Sequence, residues 1–207
     1  MTIPIFNSTS KKNNFCFLNL SVDYLDDMFE YSTKKGFYDF FESDPPKTKQ
    51  EMNFYLLELI KRNSEGYLSG EASVWFIYDR LKAKVIGSAG YVGIDSNRGN
   101  ATMTFGLSMD YWGSSLAFDM LYSLVHHGFN VMKLNRMSSI TFSNNVRLIN
   151  FIEIIGFKQE GLIRNYYKIK NGQLVNATIH GILADEASYE SCLNFSKILS
   201  NRHSHEH

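Results

Sequence analysis

Hydrophobic and polar positions along this chain fall into two periodicities, one of strands and one of helices. Phe15 to Leu20 is a short apolar run that reads as a strand. Ser21 is a capping residue for a helix over about Val22 to Thr33, with Asp23, Asp26 and Asp27 near its positive end. Lys34-Lys35-Gly36 ends that helix, and a very aromatic stretch follows, stopped by Asp44-Pro45-Pro46. Thr48 and Glu51 form a capping box that opens a helix to about Arg62, with Met52, Tyr55, Leu56, Leu59 and Ile60 on one face. Residues 63–70 read as a loop. Ser73 to Tyr78 and Lys84 to Ile94 read as strands joined across residues 79–82. Gly87, Gly90 and Gly93 recur every third residue, which predicts bulges or close backbone packing. A turn over Asp95 to Asn100 leads into a strand over Ala101 to Met109.

The helical period returns over Ser115 to Asn130. Leu116, Met120, Leu121, Leu124 and Val125 are placed inward, and Asp119, Tyr122, Ser123 and His126 outward. Arg136 to Phe142 is a strand. Asn145 starts a short helix to Ile155, closed by Gly156 after its last turn. Leu162 to Lys170 and Gln173 to Leu183 are strands joined by Asn171-Gly172, a strong hairpin signal. Residues 1–14 are expected to be a flexible leader, 15–184 one domain, and 185–207 a final helix and a histidine-bearing tail. The element order is mixed α/β with no internal repeat.

Composition narrows the classes. The 207 residues are 44% hydrophobic and 14% aromatic, so a packed core is expected and disorder is not. The 21 basic and 21 acidic residues balance, leaving no excess to neutralise a nucleic-acid backbone. Two cysteines, Cys16 and Cys192, lie near opposite ends without metal-ligand spacing, and no metal is expected. No apolar run approaches the roughly 20 residues that span a bilayer. These features predict a cytoplasmic protein with no nucleic-acid or membrane partner.

The chemistry concentrates where the strand ending near Met109 meets the helix starting near Ser115. Trp112-Gly113-Ser114-Ser115 is a turn of small residues ahead of a helix N-terminus. Unpaired first-turn N–H groups and the helix dipole suit such a place to a phosphate or pyrophosphate. A nucleotide-binding domain would use the same strand–turn–helix, but a Gly-Lys-Ser/Thr or full glycine-rich fingerprint is missing.

Taken together, Val85-Ile86-Gly87, Phe105-Gly106-Leu107, Tyr111-Trp112-Gly113, Leu116-Ala117, Asn145, Gly156-Phe157, Glu160-Gly161 with Arg164, and the Asn171-Gly172 hairpin resemble the GNAT superfamily of acyl-CoA-dependent N-acyltransferases. The likeness covers residues 15–184 and is nearest the branch that acetylates ribosomal-protein N-termini. The resemblance implies a mostly antiparallel central sheet flanked by helices, with two parallel central strands splaying apart, here 101–109 and 136–142. It implies acetyl-CoA or another acyl-CoA as co-substrate, a primary amine as acceptor (a protein N-terminus, an amino sugar or a small amine), and direct transfer between them. A homodimer is compatible with the family and with exposed sheet edges.

Carried over residue by residue, the resemblance assigns Leu107, Ser108, Met109, Gly113, Ser114, Ser115, Leu116, Ala117 and Asn145 to the cofactor. It assigns Phe37, Tyr38 and Phe41 to the acceptor. Asn145, Tyr166 and Thr104 are the catalytic candidates, with one of Tyr166 and Tyr167 expected to face the site. The pattern also departs from the family. Thr104 stands where many members carry a Glu and cannot act as a base at neutral pH. Leu148 stands where many carry a Ser. Asp110 and Ser114 replace basic or neutral residues of the phosphate loop, although two serine hydroxyls are expected to donate to phosphate oxygens. These departures define the alternative, a catalytically impaired CoA-binding or regulatory module. His126 and His127 are expected on a helix surface, and His180 in the core with a satisfied hydrogen bond.

Overall fold

The computed structural model describes residues 5–8, 14–169 and 171–186. Its centre is an eight-stranded sheet: β1 (Phe6–Asn7), β2 (Phe15–Leu18), β3 (Ala72–Asp79), β4 (Lys84–Asp95), β5 (Asn100–Leu107), β6 (Arg136–Phe142), β7 (Lys158–Lys168) and β8 (Leu174–Leu183). The spatial order is β1-β2-β3-β4-β5-β6-β8-β7. Every neighbouring pair is antiparallel except β5 and β6. Two helices, α1 (Leu25–Ser32) and α2 (Lys49–Ser69), cover one face, and α3 (Ser115–Asn130) and α4 (Val146–Ile155) cover the other. The mixed, mostly antiparallel architecture with one parallel central pair is as expected.

Local signals set most boundaries. Ser21 accepts the Asp23 N–H ahead of a 3-10 turn that runs into α1. Thr48 accepts the Glu51 N–H, and Glu51 reaches back to the Lys47 N–H at 2.7 Å. Asn145 accepts the Leu148 N–H, and Gly156 closes α4 at φ +114. In the last hairpin Gly172, at φ +82, donates its N–H to the Ile169 carbonyl, and Asn171 Oδ1 accepts from Gln173.

Several expectations are corrected. Helix α2 runs to Ser69, not Arg62, through residues that look like breakers. Buried Asn63 donates to the Val74 carbonyl and accepts the Val74 N–H, both at 2.8 Å, so its amide is satisfied by β3. A Cβ on Gly66 would lie 2.7 Å from the Ala72 Cβ, so the bare glycine lets β3 approach. Met52 and Leu56 are fully buried, each worth about 1.5–3 kcal/mol of apolar burial. Tyr55, placed on the same face, is 44% exposed. Ser123 is buried rather than outward, because its hydroxyl donates to the Asp119 carbonyl one turn back. Strand β7 begins at Lys158, four residues before the expected start. Within the segment read as a leader, Phe6 and Asn7 pair with Phe17 and Cys16.

The glycines of β4 do pack closely. A Cβ on Gly90 would sit 2.1 Å from the Ser73 carbonyl oxygen, and one on Gly87 would sit 2.4 Å from that of Gly106. The final helix expected over 185–202, the histidine-bearing tail and Cys192 lie at or beyond the last described residues. Among the described residues, no helix is long and apolar enough to cross a membrane.

Candidate active site

Strands β5 and β6 pair at Asn100–Arg136, Ala101–Met137 and Thr102–Ser138, and then part. Residues 103–107 and 139–142 therefore face each other across a gap. Alternation fixes what fills it. The Ser108 N–H bonds to the Ile86 carbonyl on β4, so the peptide groups of Phe105 and Leu107 turn toward β6. Among the described residues the β5–β6 pairing stops at Thr102–Ser138, so their N–H groups lie beyond the paired register. Buried polar backbone groups need partners, so this gap is built for a ligand with amide-like donors and acceptors.

A cleft of about 580 Å³ occupies the gap and is lined from both faces of the sheet. On the α3–α4 side its walls include Ala117 and Phe118 of α3, Leu148 and Phe151 of α4, and the Trp112-Gly113 turn. On the α1–α2 side they include Phe37, Phe40 and Phe41 of the connection between those helices, with Thr104, Phe142 and Tyr167. Among the lining residues two are charged, Glu42 and Arg147. They belong to opposite sides.

The turn into α3 is held from several directions. Trp112 donates its indole N–H to the Leu107 carbonyl at 2.7 Å. Tyr111 donates its hydroxyl to Asp79 Oδ2 at 2.7 Å, and Asp79 Oδ1 accepts the Leu81 and Lys82 N–H groups, so this buried carboxylate is fully engaged. Burial, and then Asp79, push the Tyr111 phenol up. Gly113 adopts φ +73, and nothing lies within 4 Å of where its Cβ would be. The Arg147 guanidinium lies 4.6 Å from the centre of the Trp112 ring, beside the same turn.

Ser114 is not the phosphate donor expected of it. Its hydroxyl donates to the Tyr111 carbonyl at 2.6 Å and accepts the Ala117 N–H, so it is a helix cap. Asp110 is paired with Lys34, and that hydrogen bond holds its carboxyl below the usual range; its charge is matched away from the cleft. Of the residues assigned to the cofactor, Leu107, Gly113, Ala117 and Asn145 line the cleft. Ser108, Met109, Ser114, Ser115 and Leu116 do not. Ser108 is buried against β4, and Met109 packs toward Gly36 and the α1–α2 core.

Of the catalytic candidates, Asn145 and Thr104 line the cleft and Tyr166 does not. Tyr166 is 48% exposed, and its neighbour Tyr167 faces the gap instead. The register of β7 against β8 shifts between Ile163 and Tyr167, with Asn165 at φ +54, so simple alternation fails there. Tyr167 stacks on Phe142 at 4.2 Å and donates its hydroxyl to the Ile140 carbonyl at 3.1 Å. Burial pushes its phenol up to about 12, so it is protonated at neutral pH. Asn145 is 8% exposed; its Oδ1 caps α4, which leaves Nδ2 for a ligand in the cleft. Phe37 and Phe41 line the cleft, whereas Tyr38 packs into the α1–α2 core.

Two expectations about histidines are also corrected. His127 is half-buried and stacks on Phe6 at 4.1 Å. His180 is fully buried, but its ring nitrogens have no hydrogen-bond partner, and a Glu153 oxygen lies 3.6 Å from Nε2. The sequence reading did not single out Glu42 or Arg147, and it named Tyr167 only as the alternative to Tyr166. Arg147, two residues after the capping Asn145, was the nearest to being visible, because a first-turn residue beside a capped strand end must sit near the gap.

Residues 15–158 match the family model described as acetyltransferase (GNAT) domain. An uncharacterized N-acetyltransferase p20 of Bacillus licheniformis is 29% identical over 129 residues, 62% of this chain and 72% of that protein. An uncharacterized N-acetyltransferase YoaA of Bacillus subtilis (strain 168) is 23% identical, and the match spans 53% of this chain and 61% of YoaA. Among solved structures, a GCN5-related N-acetyltransferase from Brucella melitensis superposes with a TM-score of 0.76 at 17% identity, over 96% of this chain and 84% of that one. Spermidine N-acetyltransferase from Vibrio cholerae, solved with CoA and spermine, gives 0.68 at 14% identity, over 83% and 96%. A ribosomal-protein-serine acetyltransferase-like protein of the same organism gives 0.69 at 15% identity, over 88% and 99%. With its parted parallel strands, its capped α3 turn and a family match over most of its described length, the chain belongs to the GNAT N-acetyltransferase family.

Proposed function

We propose that the protein transfers an acetyl group from acetyl-CoA directly to a primary amine, with the two reactants meeting in the gap between β5 and β6. The observation that carries this reading is the gap itself: it presents the Phe105 and Leu107 N–H groups beside an anion-suited helix turn. The residues fit the cofactor. First-turn amides of α3 and the Arg147 guanidinium would hold phosphates, and the gap amides with Asn145 Nδ2 would hold the amide-bearing arm. Bound there, acetyl-CoA supplies an activated thioester carbonyl that an amine attacks, with thiolate as leaving group.

The chain contributes position and electrostatics. The Phe105 and Leu107 N–H groups face the place where negative charge develops on the carbonyl oxygen. Holding both reactants in one cleft removes most of the entropic barrier to their meeting. The attacking amine gives up a proton to water and the departing thiolate gains one; Tyr167, a protonated phenol at the gap, is the hydroxyl placed to hydrogen-bond that sulfur. The acceptor side is the α1–α2 side, walled by Phe37 and Phe41.

Thermal unfolding with and without acetyl-CoA, beside a Gly113→Trp variant, tests this reading. A ligand that binds only the folded state raises the midpoint by mass action. A rise in wild type that disappears in the variant supports it; no rise at millimolar acetyl-CoA overturns it. Thr104 and Leu148, an alcohol and a hydrocarbon at the two positions of proton chemistry, favour a second reading in which CoA binds without turnover. CoA binding with no CoA release across a broad amine panel would select it.

A further inference from the structure

The acceptor side of the cleft has a composition of its own. Its walls are aromatic: Phe37 stacks with Phe41 at 5.3 Å, and Phe40 meets Phe142 edge-on at 6.1 Å. Phe142 stacks on Tyr167, whose hydroxyl is tied to the Ile140 carbonyl, so these rings are fixed rather than free to rotate away. Phe37 reaches to the strand at the gap, since a Cβ on Gly106 would meet its ring at 3.3 Å. Among the described residues this apolar wall carries a single acid. Glu42 lies just beyond the aromatic turn, and its Oε1 accepts the Lys168 N–H at 3.2 Å. That bond anchors the α1–α2 connection to β7 and leaves Oε2 for a ligand.

The charges along the cleft are therefore ordered. Arg147 marks the side of the α3 turn, and Glu42 marks the opposite side. An anionic group is drawn to the first and a cation to the second. Aromatic faces add to the second effect, because the negative face of a ring attracts a cation within about 6 Å.

We infer that the chamber on the α1–α2 side selects an amine in its ammonium form, carrying one positive charge on an apolar body, with Glu42 as its counter-ion. This rests on the acyl-transfer reading for placing the acceptor at this side of the gap. One carboxylate balances one charge, and among the described residues the walls carry no second acid for a polycation. The flat rings suit an aryl or branched alkyl body, which gains by burial. Glu42 is exposed, so its attraction operates in partly aqueous surroundings and weakens with salt. Glu42 acts here as a specificity-determining residue that positions the ammonium.

The test is calorimetric titration of the full chain, without CoA, with 2-phenylethylamine as its ammonium and with 2-phenylethanol as a neutral probe of similar shape. Wild type should bind the ammonium roughly tenfold more tightly than the alcohol, the scale of one charge-assisted hydrogen bond. Glu42→Gln keeps an oxygen for the Lys168 N–H but loses the charge, and the two probes should then bind within about twofold of each other. Molar salt should erase the wild-type preference in the same way. Phe41→Ala should weaken both probes together, which separates the wall from the charge. A Glu42→Gln variant that keeps the full preference, or a wild type that prefers the alcohol or binds neither probe, overturns the inference. Because CoA is absent, this result is independent of the acetyl-CoA unfolding test. A preference for the ammonium without any acetyl-CoA shift would sink acyl transfer alone.

Discussion

The guanidinium of Arg147 rests 4.6 Å from the centre of the Trp112 ring, joining the first turn of α4 to the turn that opens α3. These two turns flank the same end of the gap. The contact therefore stores a cation beside the place where the family's phosphate loop more often carries its own. Replacing Arg147 with Ala should weaken acetyl-CoA binding by roughly tenfold, with the loss shrinking as salt is raised. Isothermal titration at two salt concentrations checks it. The unfolding midpoint without ligand should hardly move, since an exposed cation–π pair is worth about 0.5–1 kcal/mol.

Trp112 also holds the end of β5 through its indole N–H on the Leu107 carbonyl. Trp112→Phe keeps a ring for Arg147 but orphans that carbonyl. The expected cost is about 1 kcal/mol, seen as a midpoint roughly 2–4 °C lower, together with weaker acetyl-CoA binding as the gap loosens. Wild-type binding in Trp112→Phe would show that the indole is not what sets the gap.

Two glycines predict opposite outcomes. Gly90 has φ in the ordinary range but no room: a Cβ would lie 2.6 Å from the Val74 Cα as well as against the Ser73 carbonyl. Gly90→Ala should cost roughly 3 kcal/mol or more and yield little folded protein. Gly113 has room but sits at φ +73, so Gly113→Ala should fold with a loss of about 1–2 kcal/mol. Denaturant midpoints of the two variants should fall in that order.

Acid should destabilise the fold partly through His127. Burial first, and then the neighbouring His126, lower its value from 6.5 to about 4. The unfolded chain then takes up a proton before the folded one. The stability that neutral His127 supports is complete above pH 6.5 and is lost as the pH falls from there to about 4. Burial lowers His180 as well, in the same direction. His127→Phe keeps a ring against Phe6 and cannot titrate, so its urea midpoint should fall less steeply than wild type between those values. Parallel slopes would show that His127 is protonated in the fold as readily as outside it.

The elements legible in the chain are those fixed within four residues. The Thr48–Glu51 box, the Asn145 cap, the Gly156 stop and the Asn171-Gly172 turn act through their own backbone neighbours, so residue type alone specifies them. The Gly113 turn was visible for the same reason. Helix α2 was misjudged because Asn63 and Gly66 disfavour a helix locally, and only β3, folded back against them, supplies the amide's partners and the close approach. Strand alternation says only that one of Tyr166 and Tyr167 faces the site; with Asn165 left-handed and the β7 register shifted, the fold brings Tyr167 to it rather than Tyr166. Ser114 looked like a phosphate donor until its hydroxyl was seen to close its own helix. The chain by itself determined most of its helices, strands and turns, and the likeness to its family. The fold alone decided that Glu42 and Arg147, far apart in sequence, mark opposite sides of one cleft, because the sign of charge at a point in space depends on every segment that reaches it.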